Sequence, residues 1–76
     1  MNKQRRSAIR AIHDTLEELR EKLEDVKDEE EAARDNLPEA LQESEKGEAM
    51  SSAVDSMESA ISCMEEALEY LEEAME

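Results

Sequence analysis

The chain has 76 residues, a formal net charge of −14 and 42% charged residues, with one Gly, one Pro, one Tyr and no Trp or Phe. That length makes one domain, near the size at which a single core barely offsets chain entropy, so help from oligomerisation is expected. The composition excludes a sheet protein and a transmembrane span, the patterned apolar residues exclude a disordered acidic tail, and the acidity excludes general binding to DNA or RNA.

The basic opening, Met1 to Ser7, leads into an amphipathic segment and not into an apolar signal core. Apolar residues then fall at Ile9, Ile12, Leu16, Leu19, Leu23 and Val26, alternately three and four apart. This is an unbroken heptad seam, and with Ile9 as position a it predicts a first helix over about 3–35. The seam weakens through Glu30 and Ala33.

The segment Asp35 to Glu48 separates two helical frames that are out of phase, since the first frame puts a core position at Gly47 where the second needs Met50. The helix must break there. Pro38 disfavours helical geometry at Leu37, Asn36 suits a cap or turn, and Ser44 can cap a second helix. The expectation is a loop over 36–45, with one short helical turn between Pro38 and Gln42.

A second seam runs through Met50, Val54, Met57, Ile61, Met64, Leu68, Leu71 and Met75, and predicts a helix over about 46–75. With Ile61 as a, Ala53, Ala60, Ala67 and Ala74 all fall on g. The alanine stripe beside the large apolar one calls for more than one neighbour, hence a dimer. Met50, Met57, Met64 and Met75 are read as core at these spacings, with an adaptable partner-binding groove as the alternative.

Edge charges set the expected orientation. The e positions of the first helix are His13, Arg20, Lys27 and Arg34, and those of the second are Ser51, Glu58, Glu65 and Glu72. Running the helices in opposite directions pairs Arg34 with Ser51, Lys27 with Glu58, Arg20 with Glu65 and His13 with Glu72, with the turn at residues 42–43. It also lays the basic start beside the acidic Glu72, Glu73 and Glu76, which relieves unfavourable charges at both helix ends. The fold class expected is all-α: an antiparallel two-helix coiled-coil hairpin that dimerises into a four-helix bundle.

No nucleophile elbow, phosphate-binding glycine loop or C-x-x-C spacing occurs, and Cys63 and His13 fall far apart in the expected register, so no enzyme, catalytic residue, cofactor or metal site is expected. The carboxylates Glu65, Glu66, Glu69, Glu72, Glu73 and Glu76 lack the inward Glu-x-x-His pairs of a di-iron bundle and are read as a solvated face. One cysteine fits a reducing, cytoplasmic compartment.

Two cation groups stand against the acidic background. Lys3, Arg5, Arg6 and Arg10 either neutralise the acidic end of the second helix or bind a ligand. Arg34, Asn36, Gln42, Ser44 and Lys46 either do ordinary turn and cap work or gather around a small anion at a helix start.

The segment Asp35-Asn36-Leu37-Pro38-Glu39-Ala40-Leu41-Gln42-Glu43-Ser44-Glu45-Lys46-Gly47-Glu48, between two acidic helices, resembles small proteins from phages and prophages of Gram-positive bacteria. What the resemblance implies is a phage setting, work in the host bacterial cytoplasm, and a non-enzymatic role in countering host defence. The leading expectation is a stoichiometric binder that sequesters a small anionic, nucleotide-like immune signal, with a dimer bringing two loops or two N-terminal arms together. A second is an acidic mimic of nucleic acid that occupies a basic host effector surface, using columns such as Glu17, Glu24, Glu31 and Glu65, Glu69, Glu76. A third is a phage structural or assembly helper.

Overall fold

The computed structural model describes residues 1–76 as three helices and no strands: α1, Lys3–Asp35; α2, Glu39–Gln42; and α3, Glu45–Met75. α1 runs over the span its seam predicts, and α3 begins one residue before the expected start. Each long helix opens on a side-chain cap. Asn2 accepts a hydrogen bond from the Arg5 backbone N–H at 2.8 Å, and Ser44 accepts one from Gly47 at 3.4 Å.

A single helix of this length would span about 114 Å, whereas the molecule measures 58 × 14 × 13 Å. α3 therefore lies beside α1. Arg34 Nη1 donates to Ser51 Oγ at 3.1 Å, and His13 Nε2 lies 3.4 Å from Glu72 Oε2, so ascending numbers in one helix meet descending numbers in the other.

The corner is built by α2 and the residues around it. Asn36 ends α1 with a backbone N–H bonded to the Ala32 carbonyl, and Pro38 starts the turn that becomes α2. α2 then presses its backbone against the first turn of α3. A Cβ added to Gly47 would collide with the Gln42 carbonyl oxygen, so the one glycine of the chain stands where a side chain has no room. This is close approach of two backbones and not a conformational demand, since no glycine has positive φ.

Burial is uneven between the helices. α3 buries Val54, Ile61 and Leu68, each 7% exposed, which with Gly47 lie on its a row. Met50, Met57, Met64, Leu71 and Met75 are half-buried, so the methionines do line the seam. α1 buries nothing fully. Its half-buried residues are Ile9, His13, Leu16, Arg20, Leu23, Lys27, Glu30 and Arg34 on the a and e positions, with Glu24 and Glu31 on b beside them. Its d row turns outward: Ile12 is 58% exposed, Leu19 48% and Val26 50%. The aliphatic stems of the e-row cations cover apolar surface that d-row residues would otherwise fill.

Two of the four expected cross-helix pairs form and two do not. Arg20 bonds to Glu24 at 3.2 Å instead of reaching Glu65, and Lys27 lies 3.0 Å from Asp28 and 3.8 Å from Glu31 instead of meeting Glu58. Carboxylates on the same helix are nearer, and each exposed pair contributes only about 0–1 kcal/mol, so the local choice wins at little cost.

Candidate functional site

The two cation groups of the sequence sit at opposite ends of the rod. At the open end, α1 carries Lys3, Arg5, Arg6 and Arg10 within its first turns, all exposed. None of them stands within ion-pair distance of a carboxylate; the ion pairs of the molecule involve only His13, Arg20, Lys27 and Arg34. The expected neutralisation of Glu72, Glu73 and Glu76 by these four residues therefore takes no direct form. The contact that ties α1 to that end of α3 is His13 with Glu72.

His13 is the most thoroughly enclosed polar group at this end. Its side chain is 13% exposed, with Nδ1 3.1 Å from Asp14 and Nε2 3.4 Å from Glu72. The Asp14 carboxylate, then Glu72, raises the imidazole above its ordinary value, against partial desolvation that works the other way.

At the corner, most of the polar groups bond to the corner itself. Arg34 donates to Ser51 and, through Nη2, to Asp35 at 2.9 Å, and Asp35 is the main reason its guanidinium is held above its ordinary range. Gln42 Nε2 donates to the Leu37 carbonyl at 3.0 Å and to the Asp35 carbonyl at 3.5 Å, capping the end of α1. Ser44 donates to the Leu41 carbonyl while accepting from Gly47. Asn36 contributes a backbone cap. Of the five corner candidates, Asn36 and Lys46 are exposed and make no side-chain hydrogen bond or ion pair, and Lys46 is the one cation among them left unpaired.

Gln42 and Gly47 have structural jobs that sequence reasoning did not assign. A lone glycine inside a helical pattern was the available signal for the second, because it costs the helix about 1 kcal/mol unless packing requires it.

One apolar depression opens on the molecule, a groove of about 390 Å³ lined by Ala11, Ile12, Thr15, Leu16 and Leu19 of α1. It is the outward side of the d row. No group of three or more His, Cys, Asp or Glu side chains converges to hold a metal ion, and no helix is long and apolar enough to cross a membrane. Cys63 is exposed on α3, nine residues before Glu72, which places it about 14 Å along the helix from the His13 contact.

No family model, curated protein or solved structure matches the chain.

Proposed function

We propose that the protein is a non-enzymatic, stoichiometric binder whose working unit is an antiparallel coiled-coil hairpin paired with a second copy as a four-helix bundle, and that its ligand is a small anion of the nucleotide class. The observation that carries the ligand assignment is the unpaired, exposed set Lys3, Arg5, Arg6 and Arg10 in a chain with 23 acidic residues. Four guanidinium and ammonium groups kept out of ion pairs in that background retain their capacity for phosphate oxygens. Lys46 adds a free ammonium at the corner. Arg34, Asn36, Gln42 and Ser44 serve first as the frame that holds the corner shut, a smaller role than the binding role expected of them.

The pairing rests on how little the lone chain encloses. Three apolar side chains are buried, while Ile12, Leu19 and Val26 remain about half exposed. A folded domain of this size ordinarily needs more core than that. The counter-defence setting in a bacterial host rests on the likeness of the middle segment to small phage proteins.

The test is a binding panel of linear and cyclic nucleotides by calorimetry, with Arg5→Glu/Arg6→Glu and Lys46→Glu variants. Binding that the arm double variant removes supports the reading. The absence of binding across the panel sinks it.

A second reading has one observation in its favour: Glu65, Glu66, Glu69 and Glu73 stand on α3 with no cation within ion-pair distance. Such a column suits a basic protein groove. The columns are unequal, because Glu24 and Glu31 of α1 are engaged by Arg20 and Lys27. Capture of a basic effector that weakens steeply with salt, with no nucleotide binding, would favour this reading.

A further inference from the structure

The two long helices leave one common face uncovered. The contacts Arg34 to Ser51 and His13 to Glu72 join e positions of both helices, so the e edges meet on one side of the seam. The g edges lie on the other side. There α1 presents its exposed d row, Ile12, Leu19 and Val26, the apolar groove beside it, and a g row of Ala8, Thr15, Lys22 and Glu29 whose two charges are opposite in sign. α3 presents its g and c rows, and from Ala49 to Ala74 these hold only Ala, Ser, Cys63 and Tyr70. Every charged residue of α3 between Glu48 and Glu73 falls on b, e or f. An uncharged half-surface about 38 Å long thus runs down a helix that is otherwise strongly acidic.

The area matches what a copy of this chain supplies. The molecule exposes 5696 Å², about 1,000 Å² more than the roughly 4,700 Å² of a compact monomer of its mass. An interface of standard size takes about 800 Å² from each partner.

Charge decides how a copy can sit. The corner end, residues 28–58, has eleven acidic and two basic residues, a net −9. The open end, residues 1–14 with 65–76, has seven acidic residues against Lys3, Arg5, Arg6 and Arg10, a net −3. Packing like ends together sets −9 against −9. Reversing one copy sets the most acidic end against the only free cation cluster.

We infer that a second copy seats on this uncharged face with its ends reversed, about a two-fold axis near the middle of the rod. Each end of the dimer then brings Arg5, on the d row of one copy, toward Lys46, on the g row of its partner, while Arg34 stays on the far e edge with Ser51 and Asp35. These two cations, Arg5 and Lys46, stand at opposite ends of the 58 Å rod within one chain. The anion site proposed above then draws on Arg5 of one chain and Lys46 of the other, twice per dimer. This inference rests on the pairing with a second copy, and it adds the face and the direction.

The test is native mass followed by pulsed electron–electron spectroscopy on single spin labels, in a Cys63→Ser background, at Glu48→Cys near the corner and Glu21→Cys at mid-rod. Both positions point away from the uncharged face. Reversed ends put the Glu48 labels more than about 40 Å apart and leave the Glu21 labels closer by about 15 Å or more, from 1.5 Å of rise per residue. Equal, short distances at both positions mean like ends together, which overturns this inference and leaves the pairing intact. A monomeric mass overturns both. Arg5→Glu/Arg6→Glu is expected to raise the dimer Kd about tenfold at low salt, through the lost attraction to the partner's corner, and to do less as salt rises. A Kd unchanged at low salt counts against the reversed arrangement.

Discussion

α1 and α3 carry seams of the same spacing yet fare differently. α3 closes its a row from Gly47 to Leu68, and α1 buries no residue at all. The difference lies in what stands beside each seam. Next to the a row of α1 is a row of long cations, His13 included, whose stems can cover apolar surface while their heads reach solvent. Next to that of α3 are Ser51 and the shorter carboxylates Glu58, Glu65 and Glu72 on one side and the half-buried Met50, Met57, Met64 and Leu71 on the other. α1 is therefore rolled toward its e edge, and its d row is left over. A heptad seam identifies which residues can be buried, while the flanking rows decide which of them are.

The largest effect should come from the closed row. Ile61→Ala is expected to cost about 2–5 kcal/mol, read as a lower urea midpoint. Leu19→Ala at the open d row separates two accounts of α1. With the second copy in place it should cost more than about 1 kcal/mol and lower the dimer mass fraction, whereas a face exposed to solvent would keep the loss under about 0.5 kcal/mol. Next comes the corner. Gly47→Ala improves helix propensity but drives a methyl into the Gln42 carbonyl, so a net loss of about 1–3 kcal/mol is expected, and a gain would show that α2 does not press on α3.

Smaller effects sharpen the comparison along the e edge. Arg34→Ala should lower the urea midpoint slightly through its lost bond to Ser51, and Arg20→Ala less, because Arg20 bonds within its own helix. The smallest is the pH response of His13. Its value in the folded chain is raised above 6.5, so the protonated form is favoured by folding. That contribution is complete below 6.5 and fades as pH rises through the folded value. A urea midpoint that falls across this window, and a flat profile in His13→Gln, are the expected results.

Much of this architecture was legible from residues alone. The spacing from Ile9 to Val26 and from Met50 to Met75 located both long helices, and Ser44 marked the start of α3 to within one residue. His13 with Glu72 and Arg34 with Ser51 were legible from e-row chemistry. Arg20 and Lys27 were not, because each had several carboxylates in reach whose energies differ by less than about 1 kcal/mol. The roll of α1 was hidden for a similar reason, since a/d and a/e faces both satisfy its seam. At the corner, Gln42 and Ser44 offered donors that a ligand or the backbone could use equally well by type; only geometry shows that the backbone takes them.

The closed row of α3 and the e-edge contacts both require α3 to fold back along α1 of the same chain. A short bismaleimide bridge between His13→Cys and Glu72→Cys, in a Cys63→Ser background, tests this most directly at low protein concentration, because the two side chains meet at their tips. The structure predicts a cross-link within one chain, migrating at monomer mass under denaturing conditions. Cross-linking only between chains, or none, would mean that the two helices meet as separate rods and would contradict it.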